Sequence, residues 1–348
     1  MRFEKGRPEA RFRRRQRSWN RFKRNRRGYY SLWIFLAIFI ISMFAELICN
    51  DVPILVKYND HYFFPVIKFY PETIFGGDFE TETDYKDPLF QERMDEKGNY
   101  ALFPLVRHSY NSINFEIDGP VPSPPTADNL LGTDDRGRDV LARIVYGFRL
   151  SVLFGLALTA MGTVAGIVAG AVQGFSGGRV DLMFQRFIEI WGAMPELYLL
   201  IIFASIFQPS VLLLFLLLSL FSWMGLSDYV RAEFLRGRNM EYVKAARALG
   251  VGSITIMWRH LLPNSMTPVI TFLPFRVSAA ILALTSLDFL GLGVPPSTPS
   301  LGELLAQGKA NIDAWWLSLS SFSVLVLTLV LLIFIGEALR DTYDPRKK

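Results

Sequence analysis

Phosphate loops, nucleophile elbows and metal clusters announce themselves as spaced residues, and this chain has none of them. The nearest fragment to a Gly-x-x-x-x-Gly-Lys-Ser/Thr loop is Gly308, Lys309, Ala310, which lacks both the earlier glycine and the hydroxyl. His61, His108 and His260 show no metal-ligand spacing, and no Gly-x-Ser-x-Gly run occurs. No catalytic residue, metal site or resident cofactor is therefore expected, which argues against a membrane hydrolase. Cys49 is the single cysteine, so no internal disulfide can form, and at a membrane edge it reads as a small apolar residue.

What remains is chemistry of contact. Residues 239–263 read NMEYVKAARALGVGSITIMWRHLLP. Asn239 is a good N-cap and Gly250 a good stop, predicting a helix of about three turns between them. Ser253 can cap a second helix running through Trp258 and Arg259 to Pro263. Tyr242, Ala245, Ala246 and Leu249 fall on one face by their three- and four-residue spacing, a small-residue surface that a groove on another protein can accept. The alternative is an amphipathic helix resting on lipid headgroups. That would favour large anchors, and two alanines do not fit it.

Ionisable residues inside apolar runs are the other candidates. Arg186 and Glu189 sit three apart and can simply pair. Pro195 should kink its helix, with Glu196 beside it as a transport-path candidate. Asp288 stands at the end of an apolar run, just before Gly291 and Gly293. It either lines an outer gate with them or is a solvated carboxylate. Gly162, Gly166, Gly170 and Gly174 recur every four positions, with Gly155 and Thr159 extending the stripe, which predicts a tightly packed helix pair.

The elements that must hold these residues are membrane spans. The 348 residues are 51% hydrophobic, with positive mean hydropathy, more apolar material than one soluble core needs. Apolar runs at 31–49, 150–174, 187–207, 211–226, 267–288 and 314–337 are each near the ~20 residues that cross a bilayer as a helix, giving six spans. Thirteen basic side chains among the first 27 residues, against Glu4 and Glu9, place the N-terminus in the cytoplasm. Because that stretch abuts an apolar helix, it reads as topogenic and no nucleic-acid partner is expected. Ile48 before Cys49 excludes a lipobox, and no small-x-small cleavage site follows, so the first span is read as uncleaved. The loop 229–266 carries Arg231, Arg236, Arg238, Lys244, Arg247 and Arg259 and is cytoplasmic; the tail, with Arg340, Arg346, Lys347 and Lys348, lies on the same side. The organisation expected is a basic N-terminus 1–30, a first helix 31–49, an outer segment 50–148 rich in aromatics and prolines, a core 149–340 and a tail 341–348. The outer segment is either a packed cap or a platform for a soluble partner.

The run Ala245, Ala246, three residues, Gly250, then Leu262 and Pro263, resembles the coupling loop of binding-protein-dependent ABC importer permeases. Lys244 stands where the family pattern has Glu, and His260 where it usually has Ile. Further stretches are similar to the dipeptide, oligopeptide and nickel branch: Leu131, Gly132, Thr133, Asp134 with Gly137, Arg138, Asp139, Val140, Leu141; Leu287, Asp288, Phe289, Leu290, Gly291, Leu292, Gly293 with Pro299, Ser300, Leu301, Gly302; and Gly336, Glu337, Ala338, Leu339, Arg340, Asp341 with Asp344, Pro345. Ser112–Phe115 and Pro122–Pro125 resemble the Yej-type subgroup, associated with oligopeptides and microcin C.

The resemblance implies an all-α inner-membrane protein of six transmembrane helices in the type I, MetI-like fold, with a large periplasmic loop between helices 1 and 2. It implies a second homologous permease, an ABC ATPase with two nucleotide-binding domains holding the ATP and Mg, a periplasmic solute-binding protein, peptide cargo and surrounding lipid. The residues it assigns to ATPase coupling are Glu241, Tyr242, Ala245, Ala246, Arg247, Leu249, Gly250, Arg259, Leu262 and Pro263. A nickel or metal-chelate permease is the alternative cargo reading; a non-transport membrane enzyme or scaffold is the alternative class.

Overall fold

The computed structural model describes residues 16, 18–96, 98–115, 117 and 119–343. Most of the basic cluster at the start of the chain and the tail from Asp344 to Lys348 lie outside the described residues. The chain is mostly helical, but the expectation of an all-α protein is corrected by a small antiparallel sheet.

Helix α1 (Arg26–Met43) starts with an Asn25 side-chain cap and breaks at Phe44 before a short α2 (Ala45–Ile48). There follow β1 (Leu55–Tyr58), β2 (His61–Phe63), α3 (Pro88–Met94) and β3 (Tyr100–Leu102), with strand order β2-β1-β3. A two-residue turn closes the β1–β2 hairpin. Asn59 and Asp60 there both take positive φ, 47° and 61°, the conformation a tight hairpin turn requires. Phe75 stands at the centre of an aromatic core, its ring packed against Tyr58, Phe63, Tyr70, Tyr85 and Phe90. Aromatic burial of this kind lets a sheet of three short strands hold its shape.

The remaining helices are α4 (Val140–Ser176), α5 (Gly178–Gly192), α6 (Glu196–Ile206), α7 (Val211–Ser222), α8 (Met224–Gly237), α9 (Glu241–Ala248), α10 (Ser253–Thr255), α11 (Leu262–Phe289), α12 (Leu301–Ala310) and α13 (Trp315–Tyr343). Among the described residues four helical stretches are long and apolar enough to cross a membrane: Val140–Ser176, Val211–Gly237, Ser253–Phe289 and Trp315–Tyr343. The pair α5 and α6, bent by 65°, makes a fifth if taken as one span. The bend falls at Pro195, whose ring cannot continue a helix. Arg186 pairs with Glu189 at the surface of α5.

The glycine stripe lies against α7 and α8. A Cβ on Gly162 would stand 2.5 Å from Ser222 Oγ, on Gly166 2.8 Å from Trp223 O, on Gly170 2.4 Å from Ser227 O and on Gly174 2.5 Å from Arg231 O. Three approaches to backbone carbonyls and one to a serine hydroxyl along one seam leave no room for any side chain. Gln173, fully buried, donates to Ser227 Oγ at 2.8 Å across the same seam.

Candidate functional site

The short helix α9 is built to present one face. It is two turns long, shorter than the spacing suggested, because its N-cap is Met240, with no side-chain cap bond, and not Asn239, whose amide instead donates to Leu235 O. Its C-terminus closes as a Schellman motif: Gly250 N bonds Arg247 O at 2.9 Å and Val251 N bonds Ala246 O at 3.1 Å. Gly250 takes φ +76°, which a side chain would strain. The next helical stretch starts after Gly252 rather than through a Ser253 cap, and passes through a π turn, Ile256–Leu261, straight into α11.

Val243 and Ala246 are buried with Ala171, Val230, Phe234, Ile256 and Leu261. The expectation that Ala246 shares an outward docking face is therefore corrected. Its methyl seats the helix on its own chain, because the inward line runs through 243 and 246. Tyr242, Ala245 and Leu249 face outward, Leu249 with 83% of its surface exposed. Glu241 pairs with Lys244 at 2.9 Å in the open, and the Arg247 guanidinium stacks 5.0 Å over the Phe175 ring. Arg259 and Pro263 are exposed, and Leu262 is half-buried. A short helix, immobilised from behind and apolar in front, can transmit a push from a docked partner into α8 and α11.

At the other end, Asp288 is not the solvated carboxylate that was one of its two expected roles. It is 7% exposed; its Oδ1 accepts from Val294 N at 2.9 Å and its Oδ2 from Ser300 Oγ. Gly291, at φ +73°, closes α11 as a second Schellman motif, with Gly291 N on Asp288 O and Leu292 N on Leu287 O. A Cβ on Gly293 would strike Asp288 itself. These three residues shape the end of α11; of the gate candidates Asp288 and Gly293 are buried, while Gly291 and Glu196, in the first turn of α6, are exposed.

Sequence reasoning missed two constellations. The first explains the motif around Asp134. Asp134, Arg138 and Arg143 are buried together, Arg138 Nη2 lying 2.6 Å and Arg143 Nε 3.5 Å from Asp134 Oδ2, while Arg143 Nη2 meets Glu303 of α12 at 2.9 Å. Arg138 also donates to Pro296 O at 2.8 Å and Arg143 to Thr298 O at 3.2 Å. Two cations and two anions thus clasp the entry to α4 onto the loop before α12, and burial inside this clasp raises the Glu303 pKa despite both arginines. Asp139 caps α4 through Ala142 N and accepts from Asn129, and burial raises its pKa as well. The second is Arg276, inside α11, which donates to Ser222 O at 2.7 Å where α7 gives way to α8. Its signal was legible as the only basic residue in the apolar run 267–288.

The family described as binding-protein-dependent transport system inner membrane component matches residues 162–348, and that of the N-terminal TM domain of oligopeptide transport permease C matches residues 14–65. The chain is 52% identical over 332 residues to the inner membrane ABC transporter permease protein YejE of Escherichia coli, covering 95% of this chain and 97% of that one. It is 51% identical over 356 residues to the peptidoglycan transport system permease protein YejE of Agrobacterium fabrum, covering 95% and 93%. To the oligopeptide transport system permease protein OppC of Mycobacterium bovis it is 36% identical over 252 residues, covering 72% and 86%. Similarity that extends along nearly the whole of another permease, over a mostly helical core with four long apolar helices, makes this chain a member of the binding-protein-dependent transport system inner membrane components.

Proposed function

We propose that this chain is one half of a peptide import path in the bacterial inner membrane, paired with a homologous permease and driven by an ABC ATPase docking on the outward face of α9. The observation that carries this reading is the exposed Tyr242, Ala245 and Leu249 line on a helix fixed from behind by Val243 and Ala246. Six spans of the type I arrangement are reached by adding α1 and α2 to the four long helices and the bent pair. Both termini then lie in the cytoplasm, and the sheet-bearing segment before α4 lies outside, positioned to seat a solute-binding protein. ATP and Mg belong to the partner ATPase.

Oligopeptides are the cargo this reading assigns, in keeping with the names of the relatives, and microcin C-like peptides are added by the resemblance of Ser112–Phe115 and Pro122–Pro125 alone. The relative named for peptidoglycan transport adds peptides derived from the cell wall as a natural source. Uptake by the assembled importer, measured with labelled oligopeptide against unlabelled competitors, tests the assignment. Competition by oligopeptides and by microcin C supports it; competition by a nickel chelate and not by peptides overturns it.

A further inference from the structure

The arginine in α11 has no acid in ion-pair reach among the described residues. Taking 267–288 as the span, Arg276 is nine residues from one end and twelve from the other, about 14 and 18 Å at 1.5 Å per residue, which is mid-bilayer. A charged side chain at that depth is costly against lipid and faces protein or a watered path. One nitrogen, Nη2, is held by Ser222 O. The other, Nη1, is buried without a partner. Gly162 makes room for the group, since a Cβ there would lie 2.6 Å from Arg276 Nη2.

Two hydroxyls on α4 share this condition. Thr159 Oγ1 and Thr163 Oγ1 are buried without partners. Six other buried helical hydroxyls satisfy themselves on the carbonyl four residues earlier, at Ser265, Ser278, Thr285, Ser321, Thr328 and Thr342. Thr159 lies between Gly155, which packs on Val277 and Ile281, and Gly162, which packs on Arg276, so it faces the same seam of α11. Thr163 follows Gly162 directly. A guanidinium and two hydroxyls that can all turn a donor to one point, with no carboxylate paired to the cation, are complementary to an anion.

We infer that Arg276, Thr159 and Thr163 form a carboxylate-binding station at mid-membrane that takes the C-terminal carboxylate of a peptide in transit. The inference rests on the peptide reading above. Arg276 stays tied to the break between α7 and α8 by Nη2 while Nη1 and the hydroxyls receive the cargo, so the station reports occupancy to the helix leading to α9.

The test uses the complete importer in proteoliposomes and two probes, a tripeptide with a free C-terminal carboxylate and its C-terminal amide. The readout is the acid-to-amide uptake ratio, from which any preference of the solute-binding protein cancels when variants are compared. Arg276→Gln should lower that ratio about tenfold or more, the scale of removing one partner of a buried charge pair, and Arg276→Lys should restore much of it. Thr159→Val with Thr163→Val, isosteric and without a charge to disturb folding, should lower the ratio severalfold. An unchanged ratio with both probes slowed alike overturns the station, leaving Arg276 as a clamp on the helix break or a pair for an acid of the partner permease. A wild type that carries neither probe overturns the peptide reading and the station together.

Discussion

Replacing Leu249 by alanine and Ala246 by tryptophan should break the protein in two different ways. Leu249 is 83% exposed, so its loss leaves folding within about 0.5 kcal/mol of wild type. Fully burying a leucine in a partner's groove is worth roughly 1.5–3 kcal/mol, and truncation to alanine forfeits most of that. Affinity for the ATPase should therefore fall about ten- to thirtyfold. Ala246 is 8% exposed among Val230, Val243 and Ile256, and an indole there overfills the chain's own core at a cost of about 1–3 kcal/mol or more. Titrating the ATPase against nanodisc-held permease pair, with melting curves on the same samples, separates the two. Leu249→Ala should dock weakly and melt normally, and Ala246→Trp should melt early. A Leu249→Ala protein that docks as wild type, or an Ala246→Trp protein that melts as wild type yet no longer docks, refutes the assignment of the two faces.

Gly170→Ala would place a methyl 2.4 Å from Ser227 O, forcing α4 and α8 apart by about 1 Å at a cost of roughly 1–3 kcal/mol, whereas Gly225→Ala meets nothing within 4 Å; thermal melting in detergent should show the first well below the second. Asp134→Ala leaves Arg138 and Arg143 buried against Glu303 alone and should cost about 3–5 kcal/mol, with Asp134→Ala/Arg143→Met recovering part of it in a double-mutant cycle. His108 is held below its ordinary pKa by burial and by Lys86, 3.2 Å away. The unfolded chain therefore takes up its proton near pH 6.5 before the folded one does, and stability present above that value is lost as the pH falls. Protection of the sheet-bearing segment from hydrogen exchange, taken relative to the intrinsic amide rate at each pH, should be weaker at pH 5.5 than at pH 7.5, and His108→Gln should flatten the difference.

The sequence showed different parts of this molecule with different clarity. Glycines every fourth residue speak directly of backbone approach, and Gly162 to Gly174 indeed leave no space beside α7 and α8. The sheet was illegible because its strands are three or four residues long, too short for alternation to register. In α9, helical spacing gathered Tyr242, Ala245, Ala246 and Leu249 on one broad stripe without saying where the buried edge begins; packing of Ala246 against α8 and the π turn decides it. Asp288 was misread because its partners, Val294 N and Ser300, lie six and twelve residues further on, and only the closed turn brings them to its carboxylate. The Asp134 clasp was visible as a motif but not as a contact, since Glu303 is 160 residues from Arg143.

The measurement that bears most directly on the account is a cross-link from the outward face of α9. Cys49 is buried and is the single cysteine of this chain, so Cys49→Ala followed by Leu249→Cys gives one reporter thiol on this subunit of the intact importer. With a cysteine placed in the ATPase groove, the account predicts a cross-link that forms in transport-competent proteoliposomes, changes in yield between ATP-bound and ATP-free states, and is absent from a control with the thiol at Ala246. Efficient ATP-driven uptake with no cross-link from position 249, or an equal yield from position 246, would contradict it.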